Sequence, residues 1–179
     1  CADKRLTRSP AGKDGQRKWF ENLPVDKNPD YLVYMDDFTG VSLDDTDDWT
    51  VIKDSSASAD IAADVVNGAI TLSSQATTDN DGASIQGNEI FALSSTRDIW
   101  FETIITPTDA EGDAMDICVG LTVNFATNPE AMLTAADRIV FQVDDGDSNI
   151  DCVTEKDGTA TTTDSGVDIA SGTAVTLGF

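Results

Sequence analysis

Apolar and polar residues alternate in short runs along most of the chain, with turn-forming residues between the runs. Eleven such runs are legible from residue 31 onward: Tyr31–Met35, Trp49–Lys53, Ala69–Ser73, Ala83–Gln86, Ile90–Leu93, Ile99–Ile105, Met115–Val123, Arg138–Val143, Ile150–Thr154, Ala160–Thr163 and Ala174–Phe179. Alternation with period two marks β-strands, because successive side chains point to opposite faces. Gly, Asp and Asn punctuate the gaps, and Asn67-Gly68 ahead of the third run is a favoured hairpin-turn dipeptide. Short strands at this spacing predict an all-β domain, a two-sheet antiparallel β-sandwich or a barrel. Helical spacing is confined to one short stretch, Pro129–Ala136.

Within Ile99–Ile105 the alternation allows two registers, one burying Ile99, Phe101 and Ile104 and the other Trp100. Trp100 shares a side with Glu102, and Phe101 shares the other with Thr103. The run is read as a core strand, so Trp100→Ala is expected to cost stability.

Residues 1–30 break the pattern. Pro10, Gly12, Gly15, Pro24 and Pro29 interrupt them, and only Trp19, Phe20 and Leu23 offer apolar anchors. Such a segment buries too little surface to offset its ordering entropy alone. It is expected to be an extended arm, ordered against a partner, ahead of a β domain spanning 31–179. At the other end Thr173–Phe179 reads as a core strand with no cap or polar tail. The expectation there is a domain whose last strands are missing.

Charge sharpens this division. The chain carries 11 basic and 33 acidic residues, a net charge of −22. Seven of the basic residues (Lys4, Arg5, Arg8, Lys13, Arg17, Lys18 and Lys27) fall in residues 1–30 against five acids, leaving that segment at +2. Residues 31–179 hold only Lys53, Arg97, Arg138 and Lys156 against 28 acids, a net of −24. A basic tail on an acidic body is a docking arrangement. Lys4, Arg5, Arg8, Lys13, Arg17 and Lys18, with Trp19 and Phe20, are the candidate docking residues. Phosphate neutralisation is one use of such an arm, but no aromatic is interleaved before Trp19, and a body at −24 opposes nucleic acid and anionic membranes. An acidic protein neighbour is the favoured partner.

Catalytic chemistry finds little support. The sequence has no histidine, which removes the commonest general base, nucleophile activator and metal ligand. It has no Cys-x-x-Cys pair and no Gly-rich phosphate loop. The protein is therefore expected not to be an enzyme and to need no cofactor. Asp79-Asn-Asp-Gly82 and Asp144-Asp-Gly-Asp-Ser-Asn-Ile-Asp151 present many oxygens, as does Asp44-Asp-Thr-Asp-Asp48. Neither of the first two has EF-hand spacing, and Asp-Gly is a turn dipeptide, so turns and solvated loops are favoured over calcium sites. Cys118 and Cys152 sit in strand patterns as small hydrophobes, and a bridge between them requires neighbouring strands. Cys1 admits a lipoprotein anchor as a minor reading. No apolar run of 18 residues exists.

Several stretches resemble a family of β-sandwich structural proteins of tailed bacteriophages. They are Asp79–Gln86, Trp100-Phe-Glu-Thr-Ile-Ile-Thr106, Cys118-Val-Gly-Leu121, Asp144–Asp157 and Val175-Thr-Leu-Gly-Phe179. The resemblance covers residues 36–179 and leaves out the arm. It implies a concanavalin A-like jelly roll of two antiparallel sheets, a chain that continues past the Leu-Gly-Phe strand, and no catalytic residues. It also implies a place on the capsid surface as a decoration or cement protein. The expected partners are the major capsid protein or another virion protein, and further copies of itself in a homo-oligomer. The alternative is a carbohydrate-binding, lectin-like adhesion module. That reading needs aromatic platforms in loops, whereas Trp49 and Trp100 lie in strand patterns and Trp19 in the arm.

Overall fold

The computed structural model describes residues 34, 36–43, 45, 48–54, 56–74, 82–88, 93, 96–108, 115–123 and 128–179. These residues form ten strands and one 3-10 turn. The strands are β1 (Trp49–Lys53), β2 (Ser58–Ile61), β3 (Ile70–Ser73), β4 (Ala83–Gly87), β5 (Glu102–Ile105) and β6 (Ile117–Thr122). They are followed by β7 (Arg138–Val143), β8 (Asn149–Lys156), β9 (Thr159–Asp168) and β10 (Val175–Gly178). The fold is all-β, and every strand pair is antiparallel. Three sheets have two strands each, β1–β4, β2–β3 and β5–β10, and the fourth runs β6-β7-β8-β9.

The four-stranded sheet organises the core. On one face Ile117 and Val119 of β6, Phe141 and Val143 of β7, and Ile150 of β8 pack against Ile105 of β5, Val175 and Leu177 of β10, and Ile169. Val143 and Ile150 are each only 2% exposed. Burying an aliphatic side chain of this kind contributes about 1.5–3 kcal/mol. The backbone of Phe101 exchanges both hydrogen bonds with Phe179, at 2.9 and 3.0 Å, which extends the β5–β10 pairing by one residue. The Phe179 ring stacks on Phe101 and leans on Phe141, joining the two sheets.

The opposite face of that sheet carries Cys118, Val140, Arg138, Val153 and Glu155, as the register requires. Val140 and Val153 are buried. Main-chain carbonyls of Met132 and Leu133 accept bonds from this face, so the segment after the 3-10 turn lies over it. The turn spans Pro129–Met132 and is capped by Asn128, whose side-chain oxygen accepts the N–H of Glu130 at 2.9 Å. It is shorter than the helix expected over Pro129–Ala136, and it neighbours β4.

The strand run through Trp100 is half corrected. Phe101, Thr103 and Ile105 alternate as half-buried positions, while Trp100, Glu102 and Ile104 are exposed. The predicted alternation holds. The burial of Trp100 and of Ile104 does not: they stand 38% and 47% exposed. Trp100 is therefore not a core residue. Tyr31–Met35 and Ile90–Leu93 lie largely outside the described residues, and Tyr34 and Leu93, which do not, are not in strands.

Asn67 and Gly68 both take positive φ, +73° and +71°, as their dipeptide favours. The loop they belong to is longer than a two-residue hairpin. It runs from Ala62 to Ala69, closed by Ala62 N–H on the Ala69 carbonyl at 2.8 Å and by Gly68 N–H on the Val65 carbonyl at 3.1 Å. The two-residue turn occurs instead at Asp157-Gly158 (φ +51° and +74°), between Lys156 and Thr159 of the β8–β9 hairpin.

Candidate functional site

The docking residues expected from sequence, Lys4, Arg5, Arg8, Lys13, Arg17, Lys18, Trp19 and Phe20, all lie outside the described residues. The described residues hold four features with chemical content: an ion pair under the 3-10 turn, two free thiols, the acidic turns, and an apolar cleft beside β9.

Arg138 opens β7 and faces Glu155 of β8 across the register. Its Nε donates to Glu155 Oε2 at 2.9 Å, and the two side chains are 8% and 13% exposed. One terminal nitrogen donates to the main-chain carbonyls of Met132 and Leu133 and to Gln142 Oε1. A guanidinium suits this task, since its planar fork presents several donors at once. The arrangement ties the segment after the 3-10 turn to the sheet.

Cys118 and Cys152 are both free. They belong to β6 and β8, with β7 between them. Cys118 stands opposite Gln142 and Cys152 opposite Phe141, so the two thiols lie on opposite faces. This sheet cannot bridge them. Burial pushes the Cys118 thiol up to about 12, with the nearby Arg138 charge offsetting a little of that rise. Burial, helped by Asp151, also raises Cys152.

The folded state therefore keeps the Cys118 proton where the unfolded chain, near the ordinary 9.0, has released it. Above that value the unfolded chain binds fewer protons, so stability falls as pH rises from 9.0 toward about 12. Cys118→Ala should lose this part of the dependence. Urea midpoints of both proteins at about pH 8 and about pH 11 test it. Midpoints that fall by the same amount in both would contradict the assignment.

The Asp144–Asp151 stretch is a turn. Asp147 N–H reaches the Asp144 carbonyl at 3.0 Å, and Gly146 takes φ +76°. Asp116 Oδ1 accepts from Asp145 N–H, Asp147 Oδ1 from Asn149 N–H, and Asp151 Oδ1 from the Asn149 amide, at 2.8–3.0 Å. These oxygens serve the turn as acceptors. Among the described residues, no three His, Cys, Asp or Glu side chains converge as metal ligands. Asp79–Asp81 and Asp44, Thr46 and Asp47 lie outside the described residues. Among the described residues no helix is long and apolar enough to cross a membrane.

The fourth feature was not legible in sequence. An apolar cleft of about 160 Å³ opens between β9 and β10, lined by Phe141, Ile150, Val167, Val175 and Leu177 among others. β9 is the outer strand of its sheet, and all ten of its residues are exposed.

No family model matches the chain, and no curated protein or solved structure matches it either.

Proposed function

We propose that this chain is a structural protein of a virion surface, a capsid decoration or cement protein of a tailed bacteriophage. Its acidic body faces solvent, and its basic arm docks on an acidic neighbour such as the major capsid protein. The body in this reading is a two-sheet jelly-roll sandwich. Packing of the β5–β10 pair against one face of β6–β9 supports that architecture, since two layers enclosing one core define a sandwich. The observation that carries the function is the charge split, +2 over residues 1–30 against −24 over the remainder. A strongly negative surface keeps crowded copies soluble, and a short basic segment gives such a body one place to attach.

The test is particle association. Full-length protein should bind purified particles lacking it, and a variant with Lys4, Arg5, Arg8, Lys13, Arg17 and Lys18 changed to Ser should lose binding at least tenfold. Added salt should weaken the wild-type interaction, because exposed charges are screened. Equal binding by both proteins would remove the arm from the account.

The exposure of Trp100 favours a second reading, a carbohydrate-binding module, because a partly open indole offers a stacking face to a sugar. Glycan binding by the intact protein that disappears in Trp100→Ala would move this reading to the front.

A further inference from the structure

The free edge of β9 is an unfinished surface. An edge strand presents a row of unpaired N–H and C=O groups, which proteins usually shorten, charge, cover or pair. Thr159–Asp168 is ten residues long, and among the described residues no strand pairs with its outer side. Its first five residues carry no charge at all. Farther along, Asp164 pairs with Asp151 and Asp168 with Asn149, so that Ser165, Gly166 and Val167 stand opposite Ile150 alone. The extra residues bulge outward at Gly166, whose φ is +70°. Val167 and Ser165 then line the apolar cleft together with Ile150, Phe141, Val175 and Leu177.

The two sides of this edge ask for different chemistry. An enclosed apolar cavity of about 150 Å³ accepts a benzene-sized ring, and the cleft, at about 160 Å³, has room for one aromatic ring. On the opposite face Asp151 and Asp164 stand directly across from each other. Like charges in that position repel. The only basic residues of the four-stranded sheet, Arg138 and Lys156, sit at its other end, held by Glu155 and by Asp157 at the hairpin tip. A segment lying along the edge should therefore offer a cation and an aromatic ring as consecutive residues, because neighbours in an extended chain point to opposite faces. The sequence contains one place where a basic residue adjoins an aromatic one, Lys18-Trp19.

We propose that the inner end of the arm, Lys18-Trp19, docks along the outer edge of β9, with Trp19 filling the cleft and Lys18 beside Asp151 and Asp164, which leaves Lys4, Arg5, Arg8, Lys13 and Arg17 for the particle. The inference rests on the reading of the arm as a docking segment and is independent of the virion role. It gives the arm an acidic, apolar-notched neighbour in this protein's own body.

Disulfide trapping in the full chain tests it. In a background carrying Cys1→Ser and Cys152→Ala, Glu21→Cys, on the same side of an extended arm as Trp19, is combined with Ser165→Cys at the cleft, or with Val66→Cys on the exposed β2–β3 loop as control. With oxidised glutathione, the Ser165→Cys pair should link at least tenfold faster than the control, and adding Trp19→Ala should bring it down to the control rate. Product mass shows whether the arm comes from the same chain or from a second copy, and either origin supports the docking. Equal rates for the two pairs, or a fast rate indifferent to Trp19→Ala, would overturn it. Were such a result to coincide with particle binding that still needs the basic residues, the arm would dock on another protein and only this inference would fall.

Discussion

Gly120→Ala is expected to destabilise the protein by about 4 kcal/mol, combining backbone strain with overpacking between two closely paired strands. Gly120 lies within β6 opposite Val140, at φ +150°. A Cβ built there would sit 2.3 Å from the Ile139 carbonyl oxygen and 2.8 Å from the Val140 Cα. Both are backbone atoms of the neighbouring strand, so no side-chain rotation relieves the overlap. The strands would have to separate beside the buried pair Val140 and Val153. Gly146→Ala is the fitting control, because its Cβ would meet nothing within 4 Å although its φ is also positive. Urea unfolding followed by fluorescence reads the difference. A Gly120→Ala midpoint equal to that of Gly146→Ala would show that β6 and β7 are not so closely paired.

The second large effect belongs to Arg138. Removing one partner of a buried ion pair leaves the other charge uncompensated, typically a loss of about 3–5 kcal/mol. Arg138→Met should approach the lower end of that range, since the Glu155 side chain keeps 13% of its exposure. It also strips donors from the carbonyls of Met132 and Leu133 and from Gln142. Glu155→Leu added to Arg138→Met should recover part of the loss, because the stranded carboxylate is then gone. A double variant less stable than Arg138→Met by the full Glu155→Leu effect would show that the two side chains are not coupled.

Neither effect was visible in sequence, for a common reason. Arg138 and Glu155 are 17 residues apart, and only the β7–β8 register makes them neighbours. Gly120 reads as one more small residue in an apolar run until a partner strand fixes what its missing side chain leaves free. Runs dense in apolar residues located strands well, and those at Trp49–Lys53 and Arg138–Val143 coincide with β1 and β7 to the residue. β2, Ser58-Ala-Asp-Ile61, is too short and too polar to announce itself. β9 was cut to Ala160–Thr163 because a strand exposed on both faces has no apolar period to read. Alternation in Ile99–Ile105 left open which side faces the core; the side of Phe101, which meets Phe179, does so, and Trp100 lies on the other.

The candidate site divides in the same way. The basic arm is a property of composition and was plain from Lys4 to Phe20. The cleft is made by β8, β9 and β10 meeting at a bulge, and no local pattern encodes such a meeting. The turn within Asp144–Asp151 was legible because Asp-Gly turn chemistry is local, and its carboxylates accept from nearby backbone and amide donors.

The central claim is that an acidic β body is held on a particle by its basic arm. Cryo-electron microscopy of purified virions tests it most directly. The account predicts copies of this chain at regular, symmetry-related positions on the capsid exterior, each with its arm density lying against an acidic protein surface. Virions whose shell contains no copy of the chain, or copies attached through the body with the arm pointing into solvent, would contradict it.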